Sequence, residues 1–152
     1  MTKTALTKEL EVAIFYLSKA DQPGIYGAFE VAFGPGYGKE YVDYVTMSSA
    51  GEITCYEIKA SKSDFYSKAK LSFYGDKNYF VMPIDVYKEV KNDIPFSVGV
   101  YAYDNGTLLL VKKSSKRAVP PWERYMIAHC MVRSLSRLTT QAIKEKKRGS
   151  GV

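Results

Sequence analysis

Apolar residues recur at three- and four-residue steps over Thr4–Ala20, with Leu6, Leu10, Ala13, Ile14 and Leu17 on one stripe, and predict an amphipathic helix. Thr4 or Thr7 can cap its start, and Asp21-Gln22-Pro23-Gly24 ends it. The period then shifts toward two. Ile25–Phe33 is a strand with Ala28, Glu30 and Ala32 on one face and Phe29, Val31 and Phe33 on the other. Gly34-Pro35-Gly36-Tyr37-Gly38 is too rich in glycine for strand, lacks the phosphate-loop spacing, and is expected to be a loop near a site entrance. Val42–Ser61 has the pattern of a β-hairpin turning at Ser49-Ala50-Gly51, with Gly51 in the left-handed position.

Ser61-Lys62-Ser63-Asp64 resembles a capping box and predicts a helix to about Tyr74, with Phe65, Ala69 and Phe73 inward. Gly75–Asn78 is a turn. Tyr79-Phe80-Val81-Met82 is a wholly apolar strand, expected to run parallel to the hairpin's second strand. A short helix from Pro83 to about Lys91 follows, then a second hairpin, Ser97–Tyr103 and Thr107–Lys112, around Asn105-Gly106. The basic connector Lys112–Arg117 and Pro120-Pro121 lead to a helix from Trp122 to about Lys147. Its expected inward stripe is Ile127, Cys130, Met131, Leu135 and Leu138. The expected organisation is a single α/β (α+β) domain over residues 1–147 with a frayed basic tail at 148–152.

The hairpin concentrates the candidate chemistry. If Gly51 closes the turn, Ser48 faces Glu52, and counting back along the ladder sets Asp43 opposite Glu57. Lys59, two residues on, shares their face, which otherwise carries Val45, Met47, Ile53 and Cys55. Alternating charges commonly mean only a solvated sheet face. Here they end an apolar face, and two carboxylates about 5 Å apart repel by roughly 3 kcal/mol at an effective dielectric near 20. That repulsion calls for a compensating cation: Lys59, a metal ion, or both. A third acid could come from Glu9 or Glu11 on the first helix, or from Glu30, which stands between two alanines on its strand.

The net charge of +6 and pI near 9.2 favour a polyanionic partner without establishing one. The 13 tyrosines and 7 phenylalanines could stack bases, although most are expected to pack the core. Cys55 and Cys130 lack CxxC spacing and read as reduced, buried small hydrophobes, and the lone His129 cannot anchor a zinc site. No apolar run approaches the about 20 residues of a membrane span, and the N-terminus lacks a signal-peptide core, so a cytoplasmic location is expected.

The order helix, strand, Asp-bearing strand, Glu-x-Lys strand, helix, strand resembles the PD-(D/E)XK nuclease superfamily, with Asp43 and Glu57-Ile58-Lys59 in the motif positions. The longer string Tyr56–Phe65, with Lys70 and Tyr79–Pro83, is similar to the MmcB-like DNA-repair branch, which has small phage and prophage counterparts. The resemblance covers roughly residues 28–137, and Val42 stands where the superfamily often has proline. It implies a restriction-endonuclease-like core, a mixed sheet whose antiparallel hairpin carries D…ExK, flanked by helices. It implies Mg²⁺ or Mn²⁺ held by Asp43, Glu57 and the Ile58 carbonyl, and a catalytic set of Asp43, Glu57, Lys59 and, from the Phe29-Glu30-Val31 string, Glu30. Lys62, Lys68, Lys70, Arg133 and Arg137 would grip nucleic-acid phosphates. The implied substrate is DNA, with RNA left open, and the implied setting is repair, recombination or phage DNA processing with protein partners or a homodimer. A catalytically idle binding module on the same fold, and a small phage-type inhibitor protein, are the competing expectations.

Overall fold

The computed structural model describes residues 3–33, 40–67 and 73–151. The predicted Gly34–Gly38 loop, the middle of the helix predicted after Ser61, Lys68 and Lys70 lie outside them. Six strands form one mixed sheet in chain order: β1 (Ile25–Phe33), β2 (Glu40–Ser48), β3 (Ile53–Ile58), β4 (Lys77–Pro83), β5 (Gly99–Asp104) and β6 (Thr107–Lys112). The β1–β2, β2–β3 and β5–β6 pairs are antiparallel, and β3–β4 and β4–β5 are parallel. The helices are α1 (Ala5–Leu17), α2 (Lys62–Phe65), α3 (Ile84–Val90) and α4 (Pro121–Gly149). The protein is thus α+β, with a mixed sheet flanked by helices.

Turn chemistry fixes both hairpins. Gly51 has φ +87°, and Ser48 pairs with Glu52 through a 2.9 Å main-chain bond, as the count along the sequence requires. Asn105 and Gly106 take φ +48° and +81°, the two left-handed positions that a two-residue hairpin turn demands. Thr4 caps α1 by accepting from the Thr7 N–H.

The two faces of the sheet carry different cores. On one, Leu10 and Ile14 of α1 pack against Tyr44, Tyr56, Ile58, Tyr79 and Val81. One ring per strand forms a row there: Phe29, Tyr44, Tyr56, Tyr79 and Tyr101, with successive centroids 4.3, 5.5, 5.7 and 4.7 Å apart. Each such contact adds about 0.5–1.5 kcal/mol beyond burial, so these tyrosines serve packing. Gly27 is required beside this row, since a Cβ there would meet the Tyr44 hydroxyl at 2.5 Å. On the opposite face, Ile127, Cys130 and Met131 of α4 cover Val45, Ile53 and Cys55, and both cysteines are buried and unpaired. Burial pushes the Cys55 thiol up to about 12, as an inert core thiol requires. Phe80, Met82 and Val100 pack with Val90 of α3.

Three expectations are corrected. The helix after Ser61 ends at Phe65 and is followed by a turn at Tyr66, and Phe73 and Tyr74 are not helical. Phe65 and Phe73 nevertheless both pack edge-on against Phe80, so the apolar spacing reported a shared core position without a continuous helix. Leu135 and Leu138 do not continue the buried stripe of α4: they are 38% and 53% exposed, and the stripe ends at Ser134. The helix itself runs to Gly149, into the stretch expected to fray.

Buried Asp76 ties the hairpin turn to α4. Its carboxylate accepts from the Ile53 N–H at 2.7 Å and from Arg124 at 2.8 and 3.0 Å, and Arg124 also donates to the Gly51 carbonyl. The Arg124 hydrogen bond holds the Asp76 carboxyl below its usual range. Asp76→Ala strands the Ile53 N–H and removes the counter-charge of Arg124, and is expected to cost about 2–3 kcal/mol in urea unfolding. A loss below about 0.5 kcal/mol, the level of an ordinary surface substitution, would refute that role.

Candidate functional site

The β2–β3 ladder pairs Tyr44 with Tyr56 and Met47 with Ile53. The same count sets Asp43 opposite Glu57. Asp43 Oδ2 accepts from the Ile58 N–H at 2.8 Å, which locks its carboxylate against the end of β3. Glu57 and Lys59 are each only 4% exposed, so this is not a solvated face. The Lys59 N–H extends the parallel pairing by donating to the Val81 carbonyl at 2.9 Å.

Lys59 is aimed by the start of α2. Ser61 Oγ accepts from the Asp64 N–H and Asp64 Oδ2 from the Ala60 N–H, both at 3.1 Å, a near relative of the capping box. Lys59 Nζ donates to the Asp64 carbonyl at 3.3 Å and lies 4.0 Å from Asp64 Oδ1.

Electrostatics define the state of the pair. Burial, then the Asp43 charge and the hydrogen bond to Asp43, push Glu57 up to about 9, while Lys59 pulls in the other direction. Asp43 is also raised by burial, opposed by the Ile58 N–H, the hydrogen bond to Glu57 and the Lys59 charge. At neutral pH Glu57 is therefore the protonated partner, donating to the Asp43 carboxylate. Glu57 Oε1 is buried with no hydrogen-bond partner among the described residues. A buried oxygen without a donor is costly unless something else meets it.

The predicted third acids do not join this pair. Glu9 and Glu11 sit on α1, which covers the opposite sheet face, where Glu9 bonds to Tyr103 and Glu11 to Lys3. Phe29 pairs with Tyr44 and Val31 with Val42, so Glu30 counts opposite Asp43, yet no ladder pair forms there and Glu30 has φ +50°. Its side chain is 63% exposed and lies 2.9 Å from Lys3, which also binds Glu11. The left-handed twist turns it away from the acid pair.

Glu40 is the acid that sequence inspection missed. It opens β2, is 3% exposed, and its charge contributes to the raised pKa of Glu57. Its position beside a glycine-rich stretch hid it. Of the expected phosphate contacts, Lys62 lies 3.9 Å from Glu89, Arg133 donates to the Ala32 carbonyl at 2.7 Å, and Arg137 is exposed.

Among the described residues no three His, Cys, Asp or Glu side chains converge as a metal-holding group. A hard divalent cation needs less: two carboxylates, a main-chain carbonyl such as that of Ile58, and water. The adjacent Asp43 and Glu57, with the unmatched Glu57 Oε1, fit that donor set.

No family model matches the chain, and no curated protein matches it. A solved structure of a protein of unknown function from Silicibacter pomeroyi is similar over 96% of each chain, with a TM-score of 0.74 at 19% identity. The likeness is one of fold. Among the described residues, no helix is long and apolar enough to cross a membrane.

Proposed function

We propose that this chain is a divalent-metal-dependent nuclease with a restriction-endonuclease-like core that hydrolyses phosphodiester bonds of DNA. The supporting observation is the pairing of half-buried Asp43 with buried Glu57, with Glu57 Oε1 unmatched and Lys59 buried beside them. Burying an acid and an amine beside a second, half-buried acid destabilises a fold, which argues for a use. Mg²⁺ or Mn²⁺, when bound, supplies Lewis acidity and a more acidic water. Asp43 and Glu57 would hold the ion, and Glu57 must release its proton to do so. Lys59, steered by Asp64, offers its ammonium to charge growing on the phosphoryl oxygens.

A catalytically idle binding module is the competing function, favoured by one feature: Asp43 Oδ2 is already engaged by the Ile58 N–H. A screen over single-stranded, duplex, flap and junction DNA, and RNA, with Mg²⁺, Mn²⁺ or EDTA separates the two. Cleavage that appears with metal and vanishes in EDTA is expected. Binding without cleavage of any substrate would favour the idle module.

A further inference from the structure

The buried stripe of α4 ends at Ser134, and every residue from 135 to 149 is exposed. About 15 residues of helix, roughly 22 Å, thus run on without a sheet beneath them. A basic and aromatic track lies along one flank. Trp122, Tyr125, His129, Arg133, Arg137 and Lys144 follow at steps of three, four, four, four and seven, which a helix aligns on one side. All six are exposed; Trp122 and Tyr125 are 63% and 71% accessible. Tyr125 and His129 stack with centroids 6.5 Å apart and an interplanar angle of 23°. From His129 to Lys144 the track lines a groove of about 610 Å³ with no acidic residue among the described residues of its wall. Glu145, the acid of this segment, bonds to Gln141 at 3.3 Å.

Exposed rings at one end and unneutralised cations at the other match the two parts of an unpaired nucleotide chain. Rings stack bases, which only a single strand presents face-on, and cations meet its phosphates. Between 132 and 149 six basic residues oppose one acid, Glu145, so pairing this arm with a second copy would set like charges together. We infer that the outer flank of α4 is a binding track for single-stranded nucleic acid, with bases on Trp122 and the Tyr125–His129 stack and phosphates on Arg133, Arg137 and Lys144. The inference deepens the nuclease proposal by naming a strand-holding surface. Arg133 joins the track to the acid pair, since it donates to Ala32 on β1, the strand beside β2.

The test is metal-free binding of a fluorescein-labelled single-stranded oligonucleotide in EDTA, over a range of salt, with quenching of the single Trp122 followed alongside. The wild type is expected to lose affinity with salt at a log–log slope steeper by about 1.4 than Arg137→Gln/Lys144→Gln, two phosphate contacts at about 0.7 each. Trp122→Ala is expected to bind about tenfold more weakly. Binding is read in EDTA and cleavage only with added metal, which separates this inference from the nuclease proposal. Unchanged binding by the double variant, or quenching absent at saturation, overturns the track even if the protein cleaves DNA. So does a wild type that binds no oligonucleotide but dimerises, or that binds anionic vesicles alone. A chain that never cleaves yet shows the expected slopes keeps the track and loses the nuclease.

Discussion

Asp43→Ala is expected to lower metal-dependent cleavage by about 10³-fold or more while leaving stability within about 1 kcal/mol of the wild type. The two effects part because the carboxylate has opposed roles in the fold. It satisfies the Ile58 N–H, a bond worth about 1 kcal/mol. It also sits against Glu57, whose burial, with the Asp43 charge added to it, keeps that neighbour protonated. Removing it loses the bond and relieves the crowding, so the terms largely offset. Lys59→Met keeps most of the buried side-chain volume, removes the ammonium, and should cost about 10²–10³-fold in turnover with modest change in Mg²⁺ affinity. Single-turnover rates, isothermal titration with Mg²⁺ and thermal melts on the same preparations provide the measurements. Undiminished cleavage by both purified variants would show that the acid pair is not the reactive centre.

The parts of this site that could be counted along the chain were legible, and those set by packing were not. Gly51 fixed the hairpin register as far as the Tyr44–Tyr56 pair, and one residue further Asp43 bonds to Glu57 and to the Ile58 N–H. Alternation then placed Lys59 on their face. Which face α1 would cover is decided by the row of tyrosines across the sheet, so helical spacing alone left Glu9 and Glu11 as candidates they are not. Glu30 was placed by strand alternation, but its φ of +50° breaks that alternation, and nothing in Phe29-Glu30-Val31 announces a left-handed residue. Apolar spacing likewise carried the α4 stripe to Leu138, past the point where the sheet stops at Ser134. The periodic signal reports a helix face; what lies beneath it is tertiary information.

Glu57→Gln should make the metal-free protein more stable at pH 8 while abolishing its response to Mg²⁺. Glu57 is held up to about 9 in the folded chain, chiefly by burial and then by Asp43, whereas the unfolded chain releases that proton near the ordinary glutamate value of about 4.3. Between those values the folded state binds more protons, so its stability is full at acid pH and falls as pH rises toward 9. The slope for this one proton approaches about 1.4 kcal/mol per pH unit. Asp43 is raised as well and adds to the fall in the same direction. A glutamine amide can donate to Asp43 much as the protonated acid does, but it has no proton to lose. The variant's stability should therefore vary less between pH 5 and 8, and the two proteins should diverge most at the alkaline end. Mg²⁺ should act in the opposite sense on the wild type alone: it displaces the proton, binds more tightly as pH rises, and restores about 3 kcal/mol at a hundredfold excess over its dissociation constant. Urea unfolding at pH 5, 6.5 and 8, with and without Mg²⁺, tests each step. Parallel pH profiles for the two proteins would mean that Glu57 is ionised in the folded state, and equal stabilisation by Mg²⁺ would place the ion elsewhere.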